Sequence, residues 1–245
     1  MKPLIVANWK MNPQTLREAK QLFSSVKRGM INFKKAEVII CPPLIYLPSF
    51  SSFNLGAQNC FWEQRGAFTG EVSPLMLKGA GCQYVIVGHS ERRRYFGETD
   101  DIINRKLQAV LTINLTPILC VGETKKDREQ GGAEEVIKNQ IISDLEGISK
   151  ARFSKVVIAY EPVWAIGTGN PCDVDEAQKM GLVIRKIISQ FYNQTLSRKI
   201  RILYGGSVDS KNAAGYIKEA NFQGLLVGGA SLRAKEFIDL IKETC

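Results

Sequence analysis

Histidine is nearly missing from this chain: among 245 residues the only one is His89. That excludes chemistry built on two histidines, including the His-Glu-x-x-His zinc hydrolases and histidine-rich metal sites. The six cysteines (Cys41, Cys60, Cys82, Cys120, Cys172 and Cys245) stand too far apart for any C-x-x-C, so neither a dithiol redox motif nor a zinc ribbon is present. No apolar stretch approaches the ~18 to 20 residues of a membrane span. The opening Met1-Lys2-Pro3 and the short apolar run Leu4 to Ala7 do not read as a secretion signal. A cytoplasmic protein with reduced thiols and no membrane association is the expectation. The common nucleotide and hydrolase motifs are missing too. There is no G-x-x-x-x-G-K-[ST] and no G-x-S-x-G, and Gly167-Thr-Gly169 runs on to Cys172 where the dinucleotide fingerprint needs glycine.

What is present describes a folded, basic protein. Hydrophobic residues make up 44% and charged ones 23%, which is ample for a core and argues against disorder. The net charge of +9 favours an anionic partner. The run Arg92-Arg93-Arg94 invites a nucleic-acid reading, but an arginine cluster of this size is better explained by structural ion pairs, so no nucleic acid is expected.

Short β-branched runs begin near Leu4, Val38, Leu55, Tyr84, Thr116, Val156, Ile200 and Gly224. Eight beats in this length give about 31 residues each, close to the ~30 of a βαβ unit. The runs are continuously apolar, as parallel strands buried on both faces are. Helix signals lie between them. Thr15 and Glu18 form a capping box, Ser73-Pro74 starts a helix that Lys78-Gly79 stops, and Asp173-Val-Asp-Glu176 caps the apolar-periodic stretch from Ala177 to Tyr192. No linker divides the chain. The pattern predicts an α/β fold, a closed (β/α)8 barrel with residues 1–245 as one domain; a doubly wound open sheet is the alternative.

In such a barrel, functional groups stand where strands run into their following loops. Asn8-Trp9-Lys10 follows the first strand, Gly88-His89-Ser90-Glu91 the fourth, and Glu161 the sixth. Glycines follow the last three: Gly167 and Gly169, Gly205-Gly206 with Ser207, and Gly228-Gly229. One glycine pair by itself makes a tight turn. Two pairs at consecutive strand ends, with Ser207 alongside, favour backbone N–H groups aimed at a phosphate. Lys10, two residues past a buried strand, is placed to meet a phosphate or carbonyl oxygen. Glu161, directly after Val-Val-Ile-Ala-Tyr, is a candidate base among apolar neighbours. His89, where Ser90-Glu91-Arg92 could open a helix, is a candidate neutral hydrogen-bond donor.

These segments resemble the triosephosphate isomerase family. The matching stretches are Ala7–Asn12, Gly56–Asn59, Gly66–Ser73, Val87–Arg93, Ala159–Gly169, Tyr204–Val208 and Leu226–Leu232, in order over nearly the whole chain. The resemblance implies interconversion of dihydroxyacetone phosphate and D-glyceraldehyde 3-phosphate through an enediolate, without metal or organic cofactor, in glycolysis and gluconeogenesis. It makes Glu161 the base that moves a proton from C1 to C2 and His89 the neutral electrophile. Those two roles are the family's own established case, and the resemblance alone assigns them here. It also implies that Lys10 supplies positive charge, that Asn8 orients the substrate, and that Gly167, Ser207, Gly228 and Gly229 hold the phosphate. Glu91 becomes the partner of Lys10, and Ile166 and Leu226 the apolar clamp on Glu161. Pro162 to Gly169 becomes a lid. The loop Phe61 to Ser73 becomes the arm of a homodimer, with Thr69 entering the neighbouring site; Phe61, Trp62 and Phe68 would otherwise form an odd exposed patch.

Two departures from the family pattern stand out. The usual Lys-Thr-Ala or Lys-Val-Ala after the lid is Asn170-Pro171-Cys172, which stiffens that hinge. The aspartate expected before the glycine of strand 8 is Gln223, so its ion pair to Arg185 is lost and the phosphate-side loops lose support. A Schiff-base aldolase on another phosphate-binding barrel is the alternative function, with Lys10 acting covalently.

Overall fold

The structure is a computed structural model describing residues 1–51, 53–167 and 170–245. Its strands are β1 (Leu4–Asn8), β2 (Glu37–Cys41), β3 (Asn54–Ala57), β4 (Cys82–Val87), β5 (Thr116–Val121), β6 (Val157–Tyr160), β7 (Arg201–Tyr204) and β8 (Gly224–Val227). Each pairs in parallel with its sequence neighbours, and β8 closes on β1, giving a closed barrel in chain order. The open-sheet alternative is thereby excluded. Helices α1 (Leu16–Met30), α2 (Pro74–Gly79), α3 (Ser90–Phe96), α4 (Asp100–Thr112), α5 (Lys125–Glu129), α6 (Ala133–Asp144), α7 (Lys150–Phe153), α8 (Val174–Phe191), α9 (Gln194–Lys199), α10 (Ala213–Lys218) and α11 (Ala234–Glu243) surround it. Between β2 and β3 the chain turns through a 3-10 helix, Leu44–Ser49, where Pro43 and Pro48 withhold the amide donors an α-helix needs.

The caps work as the sequence suggests. Thr15 and Glu18 exchange hydrogen bonds across the first turn of α1, Ser73 accepts from the Met76 amide, and Asp173 accepts from Asp175 and Glu176. After α2 the left-handed residue is Gly81, not Gly79, because the helix keeps Gly79 as its last residue.

The apolar strands divide by parity into two cores. Leu4 and Val6 of β1, Ile39 and Cys41 of β2, Ile86 of β4, Ile118 and Cys120 of β5, Val157 and Ala159 of β6, Leu203 and Leu226 fill the barrel. Their neighbours Ile5, Ala7, Ile40, Val87, Leu119, Ile158, Tyr160, Tyr204 and Val227 pack outward under the helices. Side chains alternate along a strand, so the inward row ends on Asn8 in β1 and, extended past β5, β6, β7 and β8, reaches Gly122, Glu161, Gly205 and Gly228. The fold thus delivers one carboxylate, one carboxamide and three bare backbones to the C-terminal mouth.

Candidate active site

Glu161 and His89 stand together at that mouth, although they are far apart in the chain. His89 Nε2 is 3.1 Å from Glu161 Oε1, and the Ser90 amide donates to Glu161 Oε2 at 2.9 Å. Glu161 is 2% and His89 6% exposed, so water does not screen the pair. His89 is the N-cap of α3, and its Nδ1 accepts from the Glu91 amide at 3.2 Å. An N–H aimed at Nδ1 requires a lone pair there, which leaves the ring proton on Nε2, facing Glu161.

Two glycines make room for this carboxylate. A Cβ on Gly122 would fall 1.7 Å from the Glu161 carbonyl oxygen, and one on Gly205 would lie 3.0 Å from Glu161 Cγ. Side chains there would drive the ends of β5, β6 and β7 apart. Leu226 is buried beside Gly205, on the same side as the Glu161 side chain, and Ile166 is half-buried. Cys120 faces Glu161 from inside the barrel; burial first, and the adjacent carboxylate second, push its thiol well above the usual range and keep it protonated.

Lys10 holds a left-handed backbone conformation, with φ 53°. Asn8 accounts for it: its Oδ1 accepts from the Lys10 amide at 3.1 Å, while Gln58 Nε2 donates to the Lys10 carbonyl at 2.9 Å. Such a conformation costs on the order of 1 kcal/mol for a non-glycine residue, which these two bonds offset. The ammonium pairs with Glu91. A Cβ on Gly228 would sit 3.4 Å from Lys10 Cε, so the bare turn after β8 lies directly beside the lysine side chain. Gly229 opens a 3-10 turn, Gly229–Leu232, and Ser207 Oγ donates to the Ala165 carbonyl at 2.7 Å. Gly167 has φ 72°, while Thr168 and Gly169 of the expected lid lie outside the described residues.

The N-terminal edge of the expected lid rests on Glu123, a residue not singled out from the sequence. Trp164 Nε1 donates to Glu123 Oε1 at 2.7 Å and the Tyr160 hydroxyl donates at 3.1 Å, with Arg128 stacked 4.7 Å from the Trp164 ring centre. Glu123 is fully buried, and that burial pushes its carboxyl above the usual carboxylate range. At the other edge, the Cys172 amide donates to the Tyr204 hydroxyl at 3.2 Å and the Cys172 carbonyl accepts from the Tyr216 hydroxyl at 2.5 Å.

The arginine run after His89 is structural, as expected. Arg92 pairs with Glu98, while Arg93 bridges Asp100 and the fully buried Asp144, the latter at 2.7 Å. Arg94 stacks on Tyr95. The expectation for Gln223 needs correcting in part. The ion pair is absent, but Gln223 Oε1 still accepts from Arg185 Nη2 and from the Ile202 amide. Gln223 precedes β8, so it lies at the barrel's N-terminal end, opposite Gly228-Gly229, and supports the floor rather than the phosphate-side loops. Among the described residues, no group of three or more His, Cys, Asp or Glu side chains could hold a metal ion.

This geometry agrees with comparison to known proteins. The family model described as triosephosphate isomerase matches residues 3–244. A triosephosphate isomerase of Endomicrobium trichonymphae is 47% identical over 247 residues, and that of Dictyoglomus turgidum 45% identical over 245, each alignment covering 98% of both chains. With both the barrel and the full-length similarity in agreement, the chain belongs to the triosephosphate isomerase family.

Proposed function

We propose that Glu161, His89, Lys10 and Asn8 carry the family's interconversion of dihydroxyacetone phosphate and D-glyceraldehyde 3-phosphate in this chain, with residues 1–245 acting as one barrel domain. The observation that carries the assignment is the 3.1 Å approach of His89 Nε2 to Glu161 at the mouth where Lys10 meets the bare turn at Gly228. The Glu161 carboxylate removes a proton from C1 of the ketose. His89 Nε2–H and the Lys10 ammonium donate to the oxygens on which negative charge develops, and Glu161 returns the proton to C2 while the O1 hydroxyl proton passes to O2 by way of His89 Nε2. Asn8 acts chiefly by pinning the Lys10 backbone. The phosphate lies against the backbone N–H groups of Gly167, Ser207, Gly228 and Gly229, where its binding energy positions the carbons. The reaction needs no cofactor, and in reverse it serves gluconeogenesis as it serves glycolysis. The aldolase reading is disfavoured because Lys10 Nζ is engaged by Glu91 and so is not free to attack a carbonyl carbon. The test is a coupled assay on glyceraldehyde 3-phosphate with Glu161→Ala as control; no turnover by the unaltered protein refutes the assignment.

The lid shields the enediolate, which loses phosphate readily in water. Pro171 restricts the hinge while Cys172 is held by two tyrosines. Pro171→Thr is therefore expected to speed lid relaxation and shift kcat by roughly two- to fivefold. NMR relaxation dispersion and steady-state rates check this, and no change in either rules out a stiffened hinge.

The homodimer belongs to the same reading. Thr69 stands exposed on its loop with Phe68, while Met11, Leu44 and Phe96 are 84%, 45% and 68% exposed around a cavity of about 390 Å³ that reaches Lys10 and His89. Exposed apolar residues around such a socket suit a second copy's loop. Thr69→Arg is expected to yield single chains in sedimentation and to reduce kcat at least about tenfold, since the mouth then lacks its buttress. An unaltered protein that sediments as a single chain at micromolar concentration excludes this arrangement. Among the described residues no helix is long and apolar enough to cross a membrane, and a cytoplasmic setting suits six free thiols, five of them buried.

A further inference from the structure

The barrel floor, at the opposite end from the reacting groups, contains a cation without a counter-charge. Arg185 of α8 reaches between α9 and the start of β8. Its Nη1 donates to the Ser197 carbonyl and its Nη2 to the Gln223 carboxamide oxygen, with the Ile200 carbonyl 3.5 Å from both nitrogens. All three acceptors are neutral. Among the described residues the guanidinium has no carboxylate at ion-pair distance, and its Nε has no acceptor. Burial pushes its pKa below the usual value, with no acid nearby to raise it.

Beside Arg185 opens a cavity of about 520 Å³. Met1, Pro3, Arg198, Asn221 and Gln223 are among the residues lining it, and no acidic side chain is. Arg198 is exposed and forms no ion pair among the described residues. Glu37, at the start of β2, is engaged elsewhere, by Arg201 at 2.6 Å and by the Tyr84 hydroxyl at 2.5 Å. Two guanidinium groups facing one acid-free hollow repel each other and favour an anion between them. A half-buried cation paired only with carbonyl dipoles has unmet capacity for charge-assisted bonds, and guanidinium geometry matches phosphate oxygens two at a time.

We propose that this hollow binds a phosphate dianion, either the free ion or the phosphate of a monoester, gripped by Arg185 and Arg198 with the Asn221 carboxamide alongside. The site is separate from the reacting mouth and independent of the roles assigned there. Bound phosphate joins α8, α9 and the β8 entry, so its effect is on stability.

The test compares the unaltered protein with Gln223→Asp, which supplies Arg185 with an internal carboxylate, and with Arg198→Ala, whose side chain is exposed and dispensable for folding. Melting temperature is followed as inorganic phosphate, and separately glycerol 2-phosphate, is raised against chloride at constant ionic strength. The reacting mouth is the same in all three proteins, so its own response to phosphate cancels in the differences. At about ten times the dissociation constant, the unaltered protein should gain about 2–4 °C more than either variant, while KM stays the same in all three. A larger gain with glycerol 2-phosphate assigns the site to esters; an equal gain assigns it to the ion. Identical phosphate responses in the three proteins, or a response that chloride reproduces, overturn the proposal.

Discussion

Glu161→Ala is expected to lower kcat by about 10³- to 10⁴-fold with KM changed little, the largest effect of any single substitution in this protein. The carboxylate is the only one that the inward row of strand residues brings to the mouth, and at 2% exposure no bulk water can substitute for it as base. KM is expected to be spared because the phosphate contacts proposed for Gly167, Ser207, Gly228 and Gly229 use backbones that do not depend on the Glu161 side chain. The Ser90 amide loses its 2.9 Å acceptor, so stability should fall by about 1–2 kcal/mol, which leaves the barrel folded. Glu161→Asp separates position from chemistry. It keeps a base but withdraws it by about one methylene, and a loss of roughly 10²-fold is expected for a misplacement of that size. The coupled assay, run beside a melting curve, checks both variants. Retention of more than a tenth of the original kcat by Glu161→Ala, with the fold intact, removes Glu161 from the role of base.

His89→Gln is expected to cost about 10²- to 10³-fold in kcat, the loss typical of removing one preorganised donor to a developing oxyanion. The ring is oriented at both ends, since the Glu91 amide occupies Nδ1 and Glu161 faces Nε2 at 3.1 Å. A glutamine carboxamide can donate a hydrogen bond, but its longer, freer arm is not fixed by the helix terminus in the same way. The substitution also removes the side-chain cap of α3, which should lower stability by about 1 kcal/mol. The rate loss and the stability loss are separable: His89→Asn restores a good cap but not the reach, so it should recover stability without activity. If His89→Asn recovered both, the ring would be serving only as a cap.

Much of this site can be read from the chain directly. The eight strand starts fall within two residues of their predicted places because each apolar run is bounded by glycine, proline or a charged cap, and parallel strands buried on both faces leave continuous runs. Asn8, His89 and Glu161 are conspicuous for the same reason, as each interrupts an apolar stretch where a strand ends. Continuous apolarity also hides something. It erases the alternation that would show which residues point into the barrel, so Cys120 behind Glu161 and the clearance provided by Gly122 and Gly205 appear only when the barrel closes. Glu123 under Trp164 and Gln58 on the Lys10 carbonyl are ordinary loop polar residues in sequence, and their partners come from other strand ends.

Position 223 marks the same boundary. By itself the glutamine in place of an acid predicts a lost ion pair, and the ion pair is indeed missing. Only the fold shows that the loss falls on the barrel floor, that a neutral hydrogen bond to Arg185 persists, and that an acid-free hollow opens beside it. The lone histidine divides in the same way. That there is one, and that it stands at a strand end ahead of a helix, is written in the chain, and this alone excludes two-histidine metal chemistry. Which ring nitrogen carries the proton, and that it faces a carboxylate from a distant strand end, depends on closing eight strands into a ring. Local patterning specifies elements because backbone hydrogen bonds and caps are satisfied within a few residues, whereas a catalytic pair is brought together by the register of the whole barrel.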